Sequence, residues 1–285
     1  MRSALLMLAL WLMTSTLSLV HANPLLEAVK TVEQRLDARV GIALYDSGTG
    51  ESWDYHGDDR FPITSTFKTL ACAALLAKVD NGTVDLDRRV IFSKDDLVTY
   101  SPVTETRAEE EAGMSLRGLC EATMATSDNT AANLVLGAID GPDGVTAYAR
   151  DLGDTVTRLD RTETSLNEAT PGDLRDTTSP KAMVANLRKL VLGEALSKGS
   201  RDTLVTWLKG NRVSDNLLRA AIPPDWTIGD RSGAGGHGSR SITAVLWPPH
   251  RPPLVIAIYI TQTDASFDER NGAIRDLGGA IVKHF

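Results

Sequence analysis

Strand-forming sequence stands towards both ends of this chain and helical sequence fills the middle, a distribution that restricts the fold more than any other feature. VGIALYDSGTGESWDY, from Val40 to Tyr55, reads as two short strands around the turn Ser47-Gly48-Thr49-Gly50. Near the other end, TIGDRSG, RSITAVLW and LVIAIYITQ carry many β-branched residues, and a glycine run, Pro248-Pro249 and Pro252-Pro253 separate them. Between Thr64 and about residue 210 the signals are mostly helical: TFKTLACAALLAKV, SLRGLCEATMA, DNTAANLVLGAI, GVTAYARDLG, SPKAMVANLRKLVLG and SKGSRDTLVTWLKG. Two further helices are expected, in LLEAVKTVEQRLDA and over roughly Ser266 to Lys283. Short turns make neighbouring strands antiparallel. The expectation is an α+β chain. An antiparallel sheet domain built from residues 23–57 and 212–285 carries packed terminal helices, and an all-α domain, 58–211, is inserted. A cleft between two such lobes is the place for a small-molecule site.

The first 22 residues stand outside this pattern. Arg2, an apolar run from Ala4 to Met13, and Val20-His21-Ala22 have the layout of a secretory signal peptide cleaved after Ala22. The run is too short for a membrane span. Removing 22 of 285 residues, Arg2 among them, leaves 263 and takes the net charge from −7 to −8. An acidic balance argues against nucleic acid, which demands clustered Lys and Arg. The five histidines are scattered, none at zinc-ligand spacing, so no metal or cofactor is expected. Cys72 and Cys120 either pair in an oxidising compartment or sit as two buried thiols.

Three short motifs can carry chemistry, and each has a plain structural alternative. Ser65-Thr66-Phe67-Lys68 opens a helix, and residues three apart share a face, which sets the Ser65 hydroxyl beside the Lys68 amine. A desolvated lysine can take a serine's proton; alternatively Ser65 caps the helix and Lys68 snorkels to water. Ser127-Asp128-Asn129 is either a helix cap or a proton relay (Ser127) with an amide ligand for a substrate carbonyl (Asn129). Glu163, with Asn167 nearby, could hold and deprotonate a water, or be a solvated loop acid. It lies in 154–180, a segment almost without apolar periodicity, and loops this long are functional or disordered. An ion pair between Arg161 and Asp176 would close that loop.

A fourth stretch, DRSGAGGHGSR, holds a formal G-x-G-x-x-G in Gly233, Gly235 and Gly238. A dinucleotide site needs a helix after the glycines, and here a strand follows. A sheet edge where glycines admit a ligand to the backbone, with arginines for an anion, fits better.

In the order S-x-x-K, S-D-N, E-x-x-L-N and basic residue-Ser-Gly, at gaps of about 60, 35 and 70 residues, the chain resembles a class A serine β-lactamase over its mature length. TYSPV around Tyr100, DNTAANL and LRDTTSP match that family too. The resemblance implies a sheet domain plus an all-helical domain with the site between them, and hydrolysis of β-lactams through an acyl ester on Ser65. Ser127 would pass a proton to the leaving nitrogen, Asn129 and Tyr100 would border the substrate, and Glu163 with Asn167 would position the hydrolytic water. The backbone N–H groups of Ser65 and Ala234 would form the oxyanion hole. Whether Lys68 or Glu163 activates Ser65 is left open. The resemblance also implies a Cys72–Cys120 disulfide and a small-molecule β-lactam as partner; the leader makes the location periplasmic, and a monomer is the default expectation. The nearest rivals are a penicillin-binding peptidase, which shares most motifs but deacylates slowly, and a β-lactam sensor that stays acylated. Glu163 separates the peptidase from a hydrolase, and the sensor is disfavoured because it usually needs a membrane-anchored signalling partner while the expected mature sequence carries no span.

Arg240 matches a family arginine that supports the substrate carboxylate, next to Ser232 and the backbone of Gly233 and Ala234. Arg231 departs from the common lysine and resembles the carbenicillin-hydrolysing branch. A guanidinium is a permanently charged fork able to grip a carboxylate with two bonds, so Arg231 is expected to favour penicillins carrying an extra carboxylate, directly or through the field of the site.

Overall fold

A computed structural model describes residues 23–285; the expected leader, residues 1–22, lies outside the described residues. The first helix, α1 (Pro24–Leu36), starts where the Asn23 side chain accepts from the backbone N–H of Leu25, with proline in its first turn. Its stripe of Leu25, Val29, Val32 and Leu36 is buried.

The sheet has five strands: β1 (Arg39–Asp46), β2 (Ser52–Tyr55), β3 (Thr227–Ala234), β4 (Arg240–Trp247) and β5 (Leu254–Thr261). They lie in the order β2-β1-β5-β4-β3, every pairing antiparallel, so the two ends of the chain meet at β1 and β5. Val40, Ile42 and Leu44 share a core with Ile256, Ile258 and Ile260 and with α1 and the last helix, α8 (Phe267–His284). Ala43, Val255, Ala257 and Tyr259 point the other way, into the core shared with the central helices. Both faces being covered, β5 is buried at every position and shows no alternation.

The central helices are α2 (Phe67–Asp80), α3 (Leu116–Thr126), α4 (Asn129–Gly137), α5 (Gly141–Asp151), α6 (Pro180–Leu187) and α7 (Lys198–Lys209). Every residue of α2 from Phe67 to Leu76 is buried, the signature of a helix packed on all sides. A disulfide joins Cys72 on α2 to Cys120 on α3, with Cα atoms 5.9 Å apart, which decides between a pair and two thiols. Among the described residues no helix is long and apolar enough to cross a membrane, and no group of three or more His, Cys, Asp or Glu could hold a metal. The fold is α+β, an antiparallel sheet with helices on both faces.

The 154–180 segment is ordered by polar bonds, which is why it shows no apolar period. Asp154 Oδ1 accepts from the N–H groups of Val156 and Thr157, at 2.7 and 2.9 Å. Thr177-Thr178 pairs with Phe61-Pro62. Arg161 Nε donates to Asp176 Oδ2 at 2.6 Å, and the buried Asp176 also accepts from the backbone of Asp160 and Arg161.

Candidate active site

Ser65 lies in a tight turn, Thr64–Thr66, that leads into α2. Thr64 has φ +45°, a region that a β-branched residue avoids. Two bonds of its hydroxyl hold it there, to Ile63 O at 2.8 Å and to Ser241 Oγ at 2.7 Å. Ser65 precedes the helix, and the Glu163 carboxylate oxygen joins its hydroxyl to the Lys68 ammonium. Ser65 Oγ donates to Glu163 Oε1 at 3.3 Å.

Lys68 is wholly buried, so it does not snorkel. Its Nζ reaches Ser127 O (2.8 Å), Ser127 Oγ (3.1 Å), Asn129 Oδ1 (2.6 Å) and Glu163 Oε1 (3.0 Å). Burial brings the ammonium down from 10.5 to about 8; Glu163 opposes that shift and the Arg231 charge adds to it. Ser127 closes α3 in a left-handed conformation, φ +63°, which aims both of its oxygens at Lys68. Asp128 does cap α4, accepting from Ala131 N at 2.8 Å. The amide of Asn129 is engaged at both atoms: its oxygen holds Lys68 and its Nδ2 donates to Thr99 O at 2.8 Å. Tyr100, 55% exposed with φ +67°, accepts from Asn129 N through its carbonyl.

Glu163 is 3% exposed, not a solvated acid. One carboxylate oxygen serves Ser65 and Lys68; the other accepts from Asn167 Nδ2 at 2.5 Å. Asn167 Oδ1 is buried with no partner among the described residues. The backbone of Glu163 is locked by Asn133, which accepts from Glu163 N and donates to Glu163 O, both at 2.9 Å. Asn133 was not singled out in the sequence. The signal was there: it stands four residues after Asn129, on the same face of α4.

β3 forms the opposite wall. The sequence suggested that glycines here open the backbone to a ligand; in the structure they also admit other parts of the protein. A Cβ on Gly233 would come within 2.1 Å of Thr64 Oγ1 and 2.7 Å of Ser65 N. One on Gly236 would come within 2.3 Å of Glu168 O. The strand therefore lies directly on the turn of Ser65, and the segment that follows it lies against the 154–180 loop. Arg231 is wholly buried yet borders the cleft; it donates to Ser65 O at 3.3 Å and to Met124 O and Asn211 Oδ1 at 3.4 Å. Burial lowers it to about 10, still charged at neutral pH. Asn211 in turn donates to Asp230, which pairs with Arg219.

These residues border a cleft of about 480 Å³ lined by Ser65, Tyr100, Ser127, Asn129, Asn167, Arg231, Ser232, Gly233, Ala234 and Arg240. Val213, Asn216 and Phe267 complete the lining, and none of the three carries a motif signal. Lys68 and Glu163 sit behind Ser65. A buried hydroxyl bonded to a carboxylate, beside an ammonium of lowered pKa, is an arrangement for acyl transfer.

The chain matches the β-lactamase enzyme family over residues 24–285. It is 54% identical over 259 residues to β-lactamase AER-1 of Aeromonas hydrophila, covering 91% of this chain and 85% of that protein. Against β-lactamases PSE-4 and CARB-3 of Pseudomonas aeruginosa the identity is 51% and 52% over 253 residues, covering 89% of this chain and 87% of each. Among solved structures, an ancestral (GNCA) class A β-lactamase superposes with a TM-score of 0.90 at 50% identity, over 92% of this chain and all of that one. The chain belongs to the β-lactamase enzyme family: it is a class A serine β-lactamase that hydrolyses the cyclic amide of penicillins.

Proposed function

We propose that Ser65 is the acylated nucleophile and that hydrolysis of its ester separates this enzyme from a penicillin trap. The observation that carries this reading is the position of Glu163, whose carboxylate touches Ser65 Oγ, Lys68 Nζ and Asn167 Nδ2 at once. Glu163 Oε1 is the acceptor within bonding distance of the Ser65 proton, and Lys68 shares that oxygen, so the two act as one proton-holding unit. Ser127, bonded to Lys68, returns the proton to the leaving nitrogen. Glu163 and the unpartnered Oδ1 of Asn167 then hold the water that attacks the ester. The N–H groups of Ser65 and Ala234 stabilise the oxyanion, a device that contributes about 3 kcal/mol. Arg240 and Ser232 seat the substrate carboxylate; Tyr100 and Asn129 border its acylamino side chain.

The substrates in this reading are penicillins, carbenicillin included, and some cephalosporins, with resistance to those drugs as the consequence. Support for carbenicillin is the density of cationic charge at one end of the cleft, where Arg231 and Arg240 are both buried. Their field in a desolvated site attracts a second carboxylate without a direct bond. A cleaved leader, a periplasmic location and a monomer belong to the same proposal. So does the division into a sheet domain, 23–57 and 212–285, and an inserted all-α domain, 58–211. One of the two apolar cores draws only on the first of these sets, which supports the division.

The test is turnover of benzylpenicillin and a chromogenic cephalosporin together with intact mass. Sustained turnover is expected, with Glu163→Ala accumulating a covalent adduct on Ser65. Stoichiometric labelling of the wild type without turnover would place the chain with the penicillin-binding peptidases or the sensors.

A further inference from the structure

Phe267, the first residue of α8, presents a large apolar ring that is 48% exposed at the edge of the cleft. The ring centroid lies 4.8 Å from the guanidinium carbon of Arg240 and 5.5 Å from that of Arg270. Arg240 itself is 4% exposed and held from two other sides. Its Nε donates to Asn271 Oδ1 at 2.7 Å and its Nη1 to Gly233 O at 2.8 Å. Nη2 carries no hydrogen bond to a described residue. Phe267 and Asn271 are four apart on α8 and share a face, so one helix face supplies both the ring and the amide that fix this arginine. Arg270, from the same turn, donates to Ser266 O and Ser239 O and keeps its charge beside the ring.

We propose that Phe267 is a specificity-determining residue that acts through Arg240: its ring holds the guanidinium in plane and unsolvated, with Nη2 left for the carboxylate of the substrate. The proposal rests on the reading of Arg240 as the carboxylate seat. A ring face attracts a guanidinium through its quadrupole, and more strongly where water is excluded. Covering one face of the cation also removes solvent screening, so the charge acts on a bound anion through a lower effective dielectric. A ring that served only as surface would affect anionic and neutral substrates alike.

The experiment compares benzylpenicillin with its methyl ester on the wild type, Phe267→Ala, Phe267→Leu and Phe267→Tyr, alongside thermal melting. Phe267→Ala should raise KM for the acid about fivefold, the size of a partly desolvated cation–π contact. Its kcat should stay within about twofold, because the loss is of ground-state and transition-state binding together. The ester should be unaffected. Phe267→Tyr should recover wild-type KM for the acid, whereas Phe267→Leu should stay near Phe267→Ala. Equal losses on acid and ester, or full recovery by leucine, would overturn the proposal, since apolar bulk would then suffice. Failure of the underlying reading looks different: the wild type would treat acid and ester alike.

Discussion

Gly233→Ala tests how rigidly the strand wall and the nucleophile's turn are joined. The added methyl would stand 2.1 Å from Thr64 Oγ1, 2.7 Å from Ser65 N and 2.9 Å from Ser241 Oγ. Ordinary contact begins at 3.4 Å, so these fall short by about 1.3, 0.7 and 0.5 Å respectively. None of the three atoms can swing aside freely. Thr64 Oγ1 and Ser241 Oγ bond to each other, and Ser65 N is backbone. β3 pairs on one side only and so has room to yield, but Arg231 ties it to Ser65 O and Arg240 ties Gly233 O to β4. The turn and strand must therefore separate by several tenths of an ångström to 1 Å. Overpacking of this kind costs about 1–3 kcal/mol of stability. Displacing a nucleophile by about 1 Å costs on the order of a hundredfold in rate. The assay is kcat on benzylpenicillin with urea unfolding of the same preparation. Adding Thr64→Ala, which removes the nearest oxygen, should return part of the stability but little of the rate, because Ser65 N is still crowded. A Gly233→Ala enzyme with near wild-type kcat and unchanged stability would refute the rigid contact.

Other perturbations read other parts of the site. Arg231→Lys should lower kcat/KM for carbenicillin more than for ampicillin, measured side by side; an equal loss would make Arg231 a general anion anchor. The carboxylate of Glu163 favours the charged form of Lys68, so Glu163→Ala should move the Lys68 ammonium below its value of about 8. Single-turnover acylation of that variant, followed by mass against pH, should then have its inflection on the acid side of 8; an inflection moved upward would contradict the pairing. Burial holds Lys68 below its unfolded value of 10.5, so between about 8 and 10.5 the unfolded chain binds the extra proton. The contribution of Lys68 to stability should accordingly rise with pH through that window, seen as a denaturation midpoint that climbs more than in Lys68→Met. Replacing Cys72 and Cys120 by serine opens a loop spanning 48 residues and should cost about 4 kcal/mol in the chain-entropy account, with kcat largely kept. A melting temperature that does not fall would show that the bridge adds no stability.

The secondary structure was legible because its signals are local. Strand ends, helical middle, hairpin and final helix all follow from a period or a turn within about a dozen residues. The site motifs were legible through their order along the chain. Short pairings such as Phe61-Pro62 with Thr177-Thr178 were not, because two residues carry no period and the partner lies more than a hundred positions away. Asn133 escaped notice although its spacing from Asn129 would have placed it on the same face.

By itself the sequence determined which side chains the enzyme has for acyl transfer and which elements carry them. Only the tertiary structure decided what surrounds those side chains. It set the Ser65 hydroxyl on Glu163, 98 positions on, and the Lys68 ammonium on the same carboxylate oxygen. It buried Lys68 and Arg231, turning a snorkelling amine into one of lowered pKa and bonding the guanidinium to Ser65 O. It packed the turn of Thr64 and Ser65 against Gly233 of β3. The physical reason is common to all three. Burial, dielectric and hydrogen-bond partner are properties of the space around a side chain, and here that space is filled by residues far away in the chain, 59 positions for Lys68 and Ser127 and 166 for Arg231 and Ser65.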